Sequence, residues 1–191
     1  MKQNRVLYRI LKGICGTILK LLYRPKVYGR ENIPDEGAVV FVSNHRHAFD
    51  PVTVMVHTKR FVHYLAKESI FRGLHGLILE SIGIIKVDRS KNNPLAVINA
   101  ENVLKENGAI GIFPEGTRNR PEEPLLKFKT GAVRMALNTG ALIIPCAIRG
   151  KYKVFRKGLE IEYGKPIDIT NMEVEDANTL VKNEVLNLLG K

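Results

Sequence analysis

A chain of 191 residues, 45% of them apolar and 26% charged, is long enough to bury one core without covalent staples. Two cysteines, Cys15 and Cys146, argue against a disulfide framework and against a cysteine-rich zinc site. The formal net charge of +11 favours an anionic membrane face or phosphorylated substrates as partners. Nucleic acid is set aside, since no recognised binding module and no run of basic residues interleaved with aromatics is legible.

The first predicted element is a helix over Arg5 to Arg24, "RVLYRILKGICGTILKLLYR". At about 100° per residue, its apolar residues from Val6 to Leu22 fall on one broad face. Arg5, Arg9, Lys12 and Lys20 cluster on the remainder, and no acidic residue precedes Glu31. A helix of this kind lies in the plane of a bilayer interface with its basic stripe toward anionic headgroups. The alternative is an amphipathic helix packed on its own domain. Arg9, Lys12 and Lys20 interrupt the apolar stretch and no cleavage site follows, so it does not read as a signal peptide. No stretch approaches the roughly 18 uninterrupted apolar residues of a spanning helix. The expectation is residues 1–25 as an interfacial helix, residues 26–191 as one domain, and a cytoplasmic location.

After Pro25, strand and helix signals alternate. Strands are predicted over 38–43, 61–66, 83–87, 109–113, 141–148 and 159–163. Asn93 and Pro94 make a good N-cap and first position for a helix that stops at Gly108. Further helices are predicted over 130–138, ending at Gly140, and over 174–189. The alternation implies a single α/β sheet with helices on its faces. "NHRHAFD" follows the first strand and "PEGTR" the fourth. Sites in open α/β sheets form beyond the carboxyl ends of strands, so the two clusters can face one crevice.

In the first cluster, His45 and Asp50 are five residues apart, which on a continuous helix turns them about 140° from each other. A strand-to-helix turn can fold the carboxylate back onto the imidazole. Asp50 before Pro51 also reads as a plain helix cap, and a carboxylate has oxygens enough for both roles. A histidine held by a carboxylate suits general-base work, because the acid fixes the tautomer and stabilises the imidazolium. Ser43 is the nearest hydroxyl, but "VSN" lacks the glycines of a nucleophile elbow, which leaves a substrate hydroxyl as the proton source. A metal site competes with this reading. His45, His47 and Asp50 resemble, one residue out of step, the ligand run of binuclear metallohydrolases, with His57, His63 and His75 as further candidates. Against it, no second cluster completes a site.

The second cluster, "IFPEGTRNR" from Ile112 to Arg120, is an apolar strand followed by a loop. Its glycine permits close approach to a ligand, and Arg118 offers a planar fork suited to phosphate. Taken together, His45-x4-Asp50 and Phe113-Pro-Glu-Gly-Thr-Arg118 resemble the glycerolipid acyltransferase superfamily. The resemblance is greatest to the bacterial 1-acylglycerol-3-phosphate (lysophosphatidic acid) acyltransferases. It spans about Val27 to Gly150 in order, with "GIIKVDR" (Gly83 to Arg89) and "IIPCAIRG" (Ile143 to Gly150) as further blocks and "LAKES" and "FKTG" as familiar stretches.

The resemblance implies a glycerol-3-phosphate acyltransferase-like α/β domain. His45 would be the general base and Asp50 its orienting acid, with direct attack by a lysophospholipid hydroxyl on an acyl thioester. The thioester would belong to acyl-carrier protein or coenzyme A, with no metal or other cofactor and no acyl-enzyme at Ser43 or Cys146. Glu115, Gly116, Thr117 and Arg118, with Lys67 and Arg89, would make the substrate-binding site, the cations holding its phosphate, Glu115 and Gly116 shaping the loop, and Pro145 helping to form the acyl-chain side. It also implies a peripheral or monotopic protein on the cytoplasmic face of the cell membrane. His47 departs from the pattern, standing near a place often held by a small hydroxyl residue, and becomes a competitor for the proton. Three alternatives stay open: a relative using another acceptor, a metallohydrolase, and a non-catalytic membrane-binding protein.

Overall fold

The computed structural model describes residues 3–88, 94–119 and 124–190. Seven strands form one sheet in the order β1-β7-β6-β2-β5-β3-β4. They are β1 (Lys26–Tyr28), β2 (Val39–Ser43), β3 (Val62–Lys67), β4 (Ile85–Val87), β5 (Ala109–Ile112), β6 (Leu142–Arg149) and β7 (Glu160–Tyr163). Every pairing is parallel except that of β6 with β7. The helices are α1 (Arg5–Tyr23), α2 (Asp50–Val56), α3 (Leu74–Ser81), α4 (Leu95–Lys105), α5 (Gly131–Thr139) and α6 (Val174–Leu188).

All five residues of β2 are buried, as expected of a parallel strand covered on both faces. Period-two alternation then divides its side chains between two cores. Val40 and Val42 pack with α4, α5 and α6 through residues such as Leu104, Val133 and Val181. Val39 and Phe41 pack on the opposite face with Tyr8 and Leu19 of α1, Val54 of α2 and Tyr163 of β7. The predicted strands all form, each within two residues of its expected ends. The three-residue β1 and the helix α3 carry too short or too unpunctuated a pattern to be read from the sequence. Asn93, the expected cap of α4, lies outside the described residues, and Pro94 occupies the N-cap position.

α1 packs on its own domain, the second of the two arrangements its sequence allows, and does so with only part of its apolar surface. Its wide apolar arc is split lengthwise. Tyr8, Leu19 and Tyr23 are buried in the domain core, while Val6, Ile10, Ile14, Ile18 and Leu21 stand exposed. Polar contacts fix the buried side. The Tyr8 hydroxyl accepts from the Val62 N–H at 3.0 Å, and burial pushes its pKa up to about 12. A Cβ at Gly16 would stand 3.5 Å from Val56 Cβ, ordinary van der Waals contact, so α1 faces α2 directly here. Lys12 corrects the expected basic stripe: it points inward and donates to the carbonyls of Thr58 at 2.5 Å and Arg60 at 3.1 Å. Burial, with Arg30 nearby, lowers its pKa to about 8. Arg5, Arg9 and Lys20 remain exposed.

His63 and His57 are structural. The Nδ1 of His63 donates to the Gly83 carbonyl at 2.7 Å and that of His57 to the Thr53 carbonyl at 2.8 Å. Burial lowers both pKa values, only partly opposed by these bonds. The unfolded chain therefore takes up protons first once the pH falls below the ordinary histidine value of about 6.5, and stability is lost from there downward. Thermal unfolding should show Tm falling between about pH 7 and about pH 5.5, and less steeply in His63→Asn, whose amide keeps the donor to Gly83. An equal slope in wild type and variant would remove His63 from the cause.

Candidate active site

β2 ends at Ser43, and the chain turns before α2 begins at Asp50. Asn44 holds the start of this turn to the neighbouring strand. Its side-chain amide donates to the Ile148 carbonyl at 3.0 Å and its side-chain oxygen accepts from the Ile148 N–H at 2.8 Å, tying the end of β2 to the backbone of β6. Asp50 then folds back over the turn. Its Oδ2 accepts from the backbone N–H groups of Arg46 at 2.6 Å and His47 at 2.7 Å, and from His45 Nδ1 at 2.9 Å. Asp50 is therefore not the expected N-cap. Phe49 takes that position, and the Asp50 carboxylate bonds the backbone before the helix rather than the N–H groups within it.

An ionised carboxylate is acceptor-only, so Nδ1 of His45 carries the proton and Nε2 is left with a free lone pair. The Asp50 side chain is 0% exposed and that of His45 19% exposed, so one member of the pair is sealed and the other reaches solvent. The ring of His45 stacks on Phe113 at 4.3 Å between centroids, and Phe113 stacks on Tyr64 at 5.9 Å. His47 is separated from this arrangement. Its ring stacks on Tyr152 at 4.3 Å and its Nδ1 accepts from the Phe49 N–H at 3.3 Å, so only its backbone reaches Asp50.

β5 lies beside β2 and parallel to it, with Val42 opposite Ile112, so the loop after β5 meets the turn after β2. The meeting is direct. Glu115 Oε1 accepts from the His45 N–H at 2.7 Å, its Oε2 accepts from the Leu126 N–H at 2.9 Å, and the Asn119 N–H donates to the His45 carbonyl at 2.6 Å. Glu115 is buried, both its oxygens are used, and it shapes the loop. Gly116 has φ +69°, and a Cβ there would lie 3.0 Å from Lys129 Cε and Nζ. A side chain at 116 would therefore be strained and would displace a lysine crossing the loop. Thr117 and Arg118 are exposed at its tip.

Lys67 closes β3, which pairs with β5, so it lies at the same edge of the sheet, exposed. It lines an open cleft of about 470 Å³ together with Arg72 and Lys86. Arg89 lies outside the described residues. Pro145 is buried in the middle of β6, and a Cβ at Gly164 would fall 2.7 Å from its ring. Ser43 and Cys146 are also buried, and burial pushes the Cys146 thiol well above the usual range. Among the described residues, no group of three or more His, Cys, Asp or Glu side chains is placed to hold a metal ion. Asn44, Lys129 and Tyr152 were not identified from sequence. Asn44 lay inside the first motif and Lys129 inside the stretch "FKTG", whereas Tyr152 acquires its partners only through folding.

A strand-end histidine backed by a sealed carboxylate and clamped to a second strand's Glu-Gly-Thr-Arg loop defines an α/β enzyme of the acyltransferase class. Residues 24–149 match the family model described as Acyltransferase, and the chain belongs to that family. It is 32% identical to the 1-acyl-sn-glycerol-3-phosphate acyltransferase of Bacillus subtilis, over 84% of this chain and 82% of that one. To the enzyme of the same name from Borreliella burgdorferi it is 35% identical, over 85% of this chain and 66% of that one. The crystal structure of the 1-acyl-sn-glycerophosphate acyltransferase of Thermotoga maritima superposes with a TM-score of 0.75. It covers 97% of this chain and 80% of the other at 21% identity. That similarity is one of fold.

Glu115→Ala would strand two N–H groups, each at a cost of about 1–3 kcal/mol where they stay dry. The melting temperature should fall by several degrees, at about 2–4 °C per kcal/mol in a domain of this size. A variant that melts with wild type would show that the loop is not clamped this way.

Proposed function

We propose that the protein transfers an acyl group from the thioester of acyl-carrier protein or coenzyme A to the sn-2 hydroxyl of 1-acylglycerol 3-phosphate, giving phosphatidic acid. The observation that carries this reading is the His45–Asp50 pair, with Nδ1 committed to a buried carboxylate and Nε2 left as the base. Nε2 takes the hydroxyl proton as the acceptor oxygen attacks the thioester carbonyl. The ester C–O bond forms, the C–S bond breaks, and the proton leaves with the thiolate. Burial of Ser43 and Cys146 supports direct transfer over an acyl-enzyme. The names of the relatives support the acceptor.

Arg118, in the loop after β5, and Lys67, at the end of β3, are exposed at the edge of the sheet that carries His45 and suit the acceptor's phosphate, and Arg118 can meet it as a bidentate fork. Arg89 is a third candidate on the strength of its motif. Lys129, lying across Gly116, adds a further cation to the loop. Positive charge at this edge also favours an acidic carrier protein.

The acceptor and product are lipids, and we place the protein at the cytoplasmic face of an anionic membrane as a peripheral or monotopic protein. No helix among the described residues is long and apolar enough to cross a membrane. The exposed stripe Val6, Ile10, Ile14, Ile18 and Leu21 runs the length of α1, and Arg5, Arg9 and Lys20 are exposed on the same helix. Val154 and Phe155 extend the exposed apolar surface beyond its C-terminus, where the Phe155 N–H donates to the Leu22 carbonyl at 2.6 Å.

The test is transfer of labelled acyl groups from a thioester to lysophosphatidic acid in anionic vesicles. Labelled phosphatidic acid should form with or without a chelator, and His45→Ala should reduce the rate by at least about 10²-fold. Retained activity in His45→Ala removes the base, and chelator sensitivity moves the reading to metal chemistry. Label on glycerol 3-phosphate or another lysolipid instead keeps the chemistry and changes the acceptor. In flotation with the same vesicles, Ile10→Ser/Ile14→Ser should bind several-fold more weakly than wild type while keeping its melting temperature. Unchanged binding would take α1 out of the membrane contact.

A further inference from the structure

We propose that Tyr152 is a positioning residue for the base: it holds the second oxygen of the Asp50 carboxylate and so fixes how that carboxylate meets His45. The inference rests on the reading of His45 as general base.

Oδ2 of Asp50 is occupied by two backbone N–H groups and the imidazole, all from the turn that Asp50 itself closes. Oδ1 has a different kind of partner. The Tyr152 hydroxyl, from the β6–β7 connection, donates to it at 2.8 Å. Because an ionised carboxylate only accepts, Tyr152 gives its proton to Asp50. The Thr53 hydroxyl, 2.8 Å from the tyrosine oxygen and 3.1 Å from the Phe49 carbonyl, has one proton to share between them. Burial, with the Asp50 carboxylate beside it, pushes the Tyr152 hydroxyl far above the ordinary tyrosine range, so it remains a donor throughout the working pH. A carboxylate tied at one oxygen can swing about that tie. Tied at both, it has one orientation, and the imidazole bonded to it has one as well.

Tyr152 is itself held from several sides. Its ring stacks on His47 and meets Tyr23, at the end of α1, edge-on at 5.4 Å and 84°. The loop carrying it is pinched at its base. Gly150 has φ +83°, and a Cβ there would fall 1.7 Å from the Gly158 carbonyl oxygen. Nothing in the sequence marks the tyrosine, which stands in "GKYKVFRKG" among four cations. Its partner lies 102 residues away along the chain.

Tyr152→Phe in the full chain tests this, because the ring and its stacking survive and only the donor is lost. Acyl transfer is followed in anionic vesicles across pH, with His45→Ala in parallel. The expected result is kcat reduced about tenfold, a fraction of the 10²–10⁴ that a general base supplies, with the Michaelis constant for the acceptor unchanged. The acid limb of kcat/KM should move to higher pH. Without the tyrosine donor more of the Asp50 charge acts on His45, the imidazole bonded to that carboxylate among the described residues, while Glu115 meets His45 at its backbone N–H. A purely structural tyrosine would lower the melting temperature and leave the limb in place. The inference requires both the fall in kcat and the moved limb, and the absence of either overturns it. If His45→Ala retains transfer, the general-base reading fails instead. If His45→Ala is dead and Tyr152→Phe behaves as wild type, the base stands and Tyr152 is excluded.

Discussion

The site depends on one buried carboxylate. Removing an ionised carboxylate from water costs several kcal/mol even after relaxation, unless charge-assisted hydrogen bonds replace the lost solvation. Asp50, 0% exposed, receives them from His45, Arg46, His47 and Tyr152. Satisfying it dictates much of the local shape. The turn after β2 must present two successive N–H groups inward, the imidazole must offer Nδ1, and the β6–β7 connection must bring a hydroxyl across the helix. The same requirement that stabilises the turn leaves Nε2 of His45 as the free, partly exposed nitrogen.

The sheet gives this turn its surroundings. Parallel pairing sets the ends of β2, β5 and β3 side by side, so a histidine after one strand, a Glu-Gly-Thr-Arg loop after the next and a lysine at the end of the third share one edge. Asn44 ties the turn to β6 and Glu115 ties it to the loop after β5, so His45 is braced from both neighbouring strands. On one face of the sheet, α1 spends one side of its apolar arc on the core and leaves the other exposed. The helix is therefore fixed relative to His45, and a bilayer met by Val6, Ile10 and Ile14 would also be met in a fixed orientation.

Much of this was legible in the sequence, for reasons that can be named. The strands are short β-branched runs bounded by turn residues, and the order of the two motifs along the chain, each after a strand, placed them at one edge. The pairing of His45 with Asp50 followed once a turn rather than a helix separated them. What escaped reading depends on contacts distant in sequence. Glu115 shapes its loop as the resemblance implied, but that its oxygens accept from the N–H groups of His45 and Leu126 is set only by the fold. Lys12 belongs to a basic series by periodicity, but the carbonyls of Thr58 and Arg60 draw it inward. Tyr152 sits in an exposed, basic loop, and only the fold turns its hydroxyl onto Asp50.

The most direct test of the account is the protonation state of His45 itself, read by nitrogen-15 NMR of histidine-labelled protein near neutral pH. The account predicts a protonated Nδ1 and an unprotonated Nε2, with Nδ1 strongly perturbed by its bond to the carboxylate and that signature lost in Asp50→Asn. A His45 carrying its proton on Nε2, or exchanging freely between tautomers in the wild type, would contradict it.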